Sequence, residues 1–211
     1  MRSSVLAVLM CLVSAVAAHA QRPGPISPFV VDLRGFYSGL GQDPTTAKDL
    51  ELEPIRLPKR GLGALAGLHV YPLRTRTFAL GIGGEGMLVR GRFQLKDTEG
   101  KPVDLPAQQR VKSLTGQLSI NFGSHDGWSY LTAGMGPMIL KTYVGETAPL
   151  DPAPSKMTIN MGGGARWFAS QHLAFTFDVR FYQTRPEVLT PPYPSRQRMR
   201  LLILSAGISA R

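Results

Sequence analysis

Eight segments of this chain alternate apolar and polar side chains with a period of two, and the connections between them are alternately long and short. A period of two puts successive side chains on opposite faces of a strand, so each segment presents one apolar and one polar face. The pattern predicts strands at 29–40, 62–71, 77–90, 111–122, 128–140, 157–168, 173–183 and 200–210. The gaps then hold 21, 5, 20, 5, 16, 4 and 16 residues. Strands joined strictly up and down place alternate connections at opposite ends, so one end would carry tight turns and the other long loops. A sandwich with Greek-key crossings has no reason to sort its loops by length. Strands of 10 to 14 residues are long enough to cross a bilayer at a tilt. The predicted fold is all-β: an eight-stranded antiparallel up-and-down transmembrane β-barrel, closed so that no edge meets lipid.

The polar face carries charge at mid-strand. Asp32, Arg34, Glu85, Arg166, Asp178 and Arg180 share this parity. Charges at that depth belong in a lumen where opposite signs pair, so these six are expected to form a lumen charge network. On the apolar face, Phe29, Phe78, Phe122 and Trp167 fall at the short-turn end, with Tyr37 and Phe181 toward the long loops. That spacing matches two interfacial aromatic girdles. With 23 Gly and 17 Pro in 211 residues, turns and strands are favoured over a helical bundle. The single cysteine, Cys11, excludes a disulfide framework and a cysteine-based zinc site.

The first twenty residues read as an export signal. Arg2 supplies a positive start, Val5 to Ala18 is an uncharged apolar run, and Ala18-His19-Ala20 ends it in a small-residue cleavage pattern. Residues 1–20 are therefore expected to be a cleaved signal peptide and residues 21–211 the outer-membrane β-barrel domain. The net charge of +10 falls to +9 when Arg2 leaves with the signal. The expected location is the outer membrane of a Gram-negative-type cell.

The stretch Gly162-Gly163-Gly164-Ala165-Arg166-Trp167-Phe168-Ala169-Ser170-Gln171-His172-Leu173-Ala174-Phe175-Thr176-Phe177-Asp178-Val179-Arg180-Phe181-Tyr182 resembles the late hairpin of small OmpA/OmpX-type bacterial outer-membrane β-barrels. A Gly-rich strand, a tight turn, and an alternating strand running into Asp-x-Arg and aromatics carry the likeness. The resemblance implies porin-like barrel architecture, handling by periplasmic chaperones and insertion by the barrel-assembly machinery. It also sets two departures in relief. The chain ends Ile208-Ser209-Ala210-Arg211 without the terminal aromatic common in the family, and Pro137 interrupts the fifth strand, where it is expected to mark a bulge or the upper rim. No peptidoglycan-binding domain is expected after the eighth strand.

The chemistry-bearing motifs are weak. Gly81-Ile82-Gly83-Gly84-Glu85-Gly86 matches G-x-G-x-x-G, but a strand pattern follows where a dinucleotide site needs a helix. His125 and His172 fall in short turns, and His69 falls low on the second strand, away from the outer leaflet where a surface hydrolase would work. No catalytic residues, metal site or cofactor are expected. The positive charge is dispersed, and export removes nucleic acid as a partner. Arg185, Arg196, Arg198 and Arg200 cluster near the last long loop and are the candidates for contact with lipopolysaccharide phosphates. The expected protein is a non-enzymatic monomer in contact with outer-membrane lipid and lipopolysaccharide, structural or interacting through its long loops. A narrow ion or small-solute channel and a soluble periplasmic ligand-binding barrel are the alternatives. The Asp43–Pro58 segment shows no strand pattern and is expected to accept an insertion near Thr45.

Overall fold

The computed structural model describes residues 27–75, 78–124, 127–147, 155–184 and 198–211. Residues 1–20, expected from the sequence to be a signal peptide, lie outside them, as do His125, Arg185 and Arg196. The described chain is a closed barrel of eight antiparallel strands in sequence order: β1 (Phe29–Gly39), β2 (Arg60–Arg74), β3 (Phe78–Phe93), β4 (Ala107–Ser124), β5 (Gly127–Val144), β6 (Ser155–Phe168), β7 (Leu173–Thr184) and β8 (Arg200–Ala210). Closure is made by β1 against β8, with Val31 opposite Ala210 and Ser38 opposite Ile203. This last ladder leaves no strand with an unpaired edge, the condition for placing a sheet in hydrocarbon.

The alternating apolar residues face outward. Leu33, Leu62, Ile82, Leu118, Leu131, Met135, Phe175, Phe177 and Leu204 are all exposed on the outer wall. A soluble barrel would put this face inside, so the ligand-binding alternative does not fit the wall. Phe29, Tyr37, Phe122 and Trp167 also point outward, and Phe78 packs on Phe122 with ring centroids 5.8 Å apart.

The middle strands run further than alternation alone places them. β4 begins at Ala107 and β5 continues to Val144. Outward positions there include Arg110 and Lys141, and Gln108 is covered, bonding Gly145 O at 2.7 Å, so the apolar-polar contrast fades while backbone pairing continues. Pro137 makes neither a bulge nor a rim. The ladder runs unshifted from Ser113 opposite Met138 to Gly116 opposite Met135, and only the two rungs between are missing. The single register shift between β2 and β3 lies at Val70/Leu73, around Pro72.

The interior is filled in three layers. Near the short turns, Val30, Tyr71, Ala79 and Trp128 pack together with Phe168. Charged and amide side chains occupy the middle. Toward the long loops, Phe36, Leu65, Met87, Val89, Val111, Met138, Leu201 and Ile203 form an apolar plug. Eight strands enclose a space only about wide enough for side chains, so this filling is what the strand number predicts.

The segment between β1 and β2 is folded. Asp43 caps a short helix, α1 (Pro44–Asp49), accepting from Thr45 N at 3.1 Å and Thr46 Oγ1 at 2.8 Å. Thr46, Ala47 and Leu57 are buried, and Leu40 joins the apolar plug. An insertion at Thr45 would break the cap, so this segment is a packed cover, contrary to the expectation of a permissive loop.

The outward parity yields a depth test. Leu118→Arg is expected to destabilise the folded barrel by about 2–4 kcal/mol, because Leu118 faces mid-depth lipid. Leu62→Arg, beside the upper boundary, is expected to cost about 0–1 kcal/mol. Urea titration of each variant in lipid vesicles measures both.

Candidate functional site in the barrel lumen

The buried charges of the barrel fall into two groups. Arg34 on β1 bonds Glu85 on β3 (Nη2 to Oε2, 2.7 Å) and Asp178 on β7 (Nη1 to Oδ2, 2.8 Å). Arg180, two residues beyond Asp178, bonds the same two acids, Glu85 at 2.5 Å and Asp178 at 3.0 Å. The four side chains form a closed square of alternating sign, each with no exposed side-chain surface. Two phenols complete it: Tyr182 donates to Glu85 Oε1 at 2.8 Å and Tyr130 donates to Asp178 Oδ2 at 2.8 Å.

The second group lies nearer the short turns. Arg166 on β6 forks onto Asp32 on β1, with Nη2 to Oδ2 at 2.7 Å and Nε to Oδ1 at 3.0 Å. Ser209 donates to Asp32, Asn121 accepts from Arg166 at 3.3 Å, and the Arg166 guanidinium lies 4.1 Å from the Tyr130 ring centroid. Tyr130 thus touches both groups. His69 is 1% exposed, with Nδ1 3.7 Å from Asp32 Oδ2.

Three guanidinium groups meet three carboxylates, so the interior is electrically balanced. Charge taken out of water costs several kcal/mol per ion unless good geometry and further hydrogen bonds offset it. Here every carboxylate has a cation and a hydroxyl donor. The network joins β1, β3, β6 and β7 across the barrel, tying together strands far apart in sequence.

Glycine makes room for these large groups. A Cβ at Gly164 would lie 2.7 Å from the Tyr130 hydroxyl, and one at Gly162 would lie 2.6 Å from Arg180 Cγ. The G-x-G-x-x-G stretch is likewise ordinary strand in β3: a Cβ at Gly81 would meet the Tyr71 ring at 2.5 Å, and one at Gly83 the His69 ring at 2.7 Å.

Parity in the sequence groups the six charges. It does not reveal which pair, or that Tyr130, Tyr182, Ser209 and Asn121 complete the network. The signal for those four is the same inward parity, which they share with neutral polar residues of no special role. The apolar plug has its own signature. Met87-Leu88-Val89 and Leu201-Leu202-Ile203-Leu204 are apolar on both faces, which a half-buried strand does not require.

Of the arginines expected at lipopolysaccharide, Arg198 and Arg200 are described. They line a cavity of about 210 Å³ at the barrel mouth together with Asp43, Met138, Lys156 and Met199. His172 lies in the short turn between β6 and β7, where its carbonyl accepts from Arg211 N at 3.0 Å.

No protein-family model matches the chain, and no curated protein matches it in sequence. Solved structures do. The neisserial surface protein A is similar with a TM-score of 0.55 at 11% identity, over 89% of this chain and 98% of that one. Ail, the attachment invasion locus protein of Yersinia pestis, solved with the heparin analogue sucrose octasulfate, gives 0.46 at 13%, over 87% and 99%. The Escherichia coli outer-membrane protease OmpT gives 0.42 at 8%, over 92% and 99%. The fold is that of the eight-stranded outer-membrane β-barrels.

Glu85 is held by Arg34, Arg180 and Tyr182, so its loss should be costly. Glu85→Ala leaves Arg34 and Arg180 sharing Asp178 alone and is expected to destabilise the barrel by about 3–5 kcal/mol. Glu85→Asp should recover part of that. Vesicle-based urea unfolding reads both.

Proposed function

We propose that this protein is a non-enzymatic resident of the outer membrane that serves as a structural element or a surface-interaction platform, presenting its long loops outside the cell. The carrying observation is the filled lumen. Two apolar layers enclose a balanced, mutually bonded set of charges, and the β1–β2 segment packs over the mouth. Such an interior supports holding a shape rather than passing solutes, and this weighs against the channel reading. His69 sits under the apolar plug, with neither lipid nor the mouth within its reach, which supports a structural histidine. The outer-membrane location rests on the outward apolar wall together with the fold. Contacts with lipopolysaccharide, chaperones and assembly machinery, and a monomeric state, belong to the same reading.

In planar bilayers the purified barrel is expected to give no stable conductance steps; large, long-lived steps would restore the channel. An epitope inserted between Glu99 and Gly100 tests topology. That exposed turn is closed by Gly100 N to Asp97 O at 3.0 Å, with Gly100 at φ 81°. Antibody should reach the epitope on intact cells. Access only after permeabilisation would reverse the orientation.

A further inference from the structure

The strands carry an uneven distribution of charge. All three strand acids, Asp32, Glu85 and Asp178, are in the lumen. The outward-facing charged residues of the strands are cations, and most gather at the long-loop end of adjacent strands: Arg60 on β2, Arg90 and Arg92 on β3, Arg110 and Lys112 on β4, and Lys141 on β5, with Arg200 apart on β8. Arg90 stands directly opposite Arg110, and Arg110 directly opposite Lys141. Like charges directly across a ladder destabilise a sheet. The like-charged Arg90–Arg110 pair on one face is therefore a cost to folding that an external anion would relieve.

Their height is defined by the strands. On β4 the outward side chains from Phe122 to Leu114 are apolar or glycine, and Lys112 is the first charge, ten residues above Phe122. Ten residues at about 3.3 Å each, tilted by about 40°, rise about 25 Å, the height of the lipid-facing band of such barrels. On β3 the first outward charge above Phe78 is Arg90, and on β2 the first above Val70 is Arg60. The cations thus begin together where the hydrocarbon of the outer leaflet ends and its phosphate groups lie.

The geometry includes a recess. Tyr37, Arg60, Gly61, Leu62, Arg90 and Arg92 line a cleft of about 380 Å³ on the outer wall. Arg60 lies 5.8 Å from the Tyr37 ring centroid. Arg90 donates to Gln108 at 3.3 Å, and Arg92 bonds Glu146 at 2.7 Å in an exposed pair. Arg110 leans on the Tyr143 ring at 5.5 Å, and its buried Nε has no hydrogen-bond partner among the described residues. Guanidinium forks match phosphate oxygens, and Leu62 and Leu88 below offer apolar wall to an acyl chain.

We propose that the cleft bounded by Tyr37, Arg60, Arg90 and Arg92, with the Arg110–Lys112 row beside it, is a binding site for the phosphorylated headgroup of an outer-leaflet glycolipid. This rests on the outer-membrane reading, and places the contact on the β2–β5 wall instead of the last loop. The variant Arg60→Gln/Arg90→Gln/Lys112→Gln is compared with a loop control, Lys96→Gln/Lys101→Gln, each purified as the full barrel. Folding is checked first by heat-modifiable gel mobility. Binding of bisphosphorylated lipid A and of its dephosphorylated form is then measured in detergent micelles. The wild type and the loop control are expected to bind the phosphorylated form at least tenfold more tightly than the dephosphorylated one. The wall variant should lose that preference, and its Arg60→Lys/Arg90→Lys counterpart should keep most of it. Equal binding by the wall variant and the wild type overturns the site. Full competition by inorganic phosphate at equal concentration overturns the lipid headgroup in favour of a free-anion site. A wild type that does not assume the heat-modifiable folded form refutes the barrel reading itself, an outcome distinct from a folded barrel that fails to bind.

Discussion

The closing ladder between β1 and β8 is the constraint on which the rest of the molecule depends. In hydrocarbon each unpaired backbone group costs several kcal/mol, so a spanning sheet must close. Closing with eight strands fixes a narrow interior, and a narrow interior must be packed. Charged side chains can enter that space only in balanced pairs. Arg34, Glu85, Asp178 and Arg180 meet this demand as a square of alternating sign, and Arg166 meets it with Asp32. Gly162 and Gly164 then follow from the size of the side chains they face, Arg180 and Tyr130. Each feature is a consequence of the one before.

Much of the architecture was legible in the residues. A period of two is a direct imprint of the pleat, so strand identity and outward parity could be read one residue at a time from Leu33, Leu118 or Phe177. The sorting of connections into long and short carried the up-and-down topology. What escaped has physical reasons. The upper ends of β4 and β5 rise past the hydrocarbon, where no contrast between lipid and lumen remains to imprint a pattern. The apolar plug escaped because inward apolar residues were hidden among outward ones. Pro137 was absorbed without a bulge because losing two rungs in a closed ladder disturbs less than shifting the register. The fold of the β1–β2 segment rests on one capping aspartate and a few buried side chains, too short a signal to separate from a loop.

The charge on the two faces of the wall expresses one electrostatic logic. The strand acids are confined to the lumen, where each has a guanidinium partner. The outward-facing cations of β2 to β5 lie instead at the long-loop end of the wall, above its apolar band. The two sets do not compete, because the strand pleat separates them onto opposite faces. The net positive charge of the chain, dispersed when read along the sequence, becomes organised when read around the barrel.

The most direct measurement of this account uses the two tryptophans of the chain. Trp167 is 53% exposed on the outer wall, while Trp128 is 1% exposed inside the lumen against Tyr71 and Phe168. Trp128→Phe leaves only the outer indole, and Trp167→Phe leaves only the inner one. With each variant refolded into vesicles of lipids brominated along the acyl chain, the fluorescence of Trp167 should be strongly quenched and that of Trp128 nearly untouched. Quenching of Trp128 equal to or greater than that of Trp167 would contradict the assignment of faces, and no quenching of either would contradict a barrel seated in the membrane.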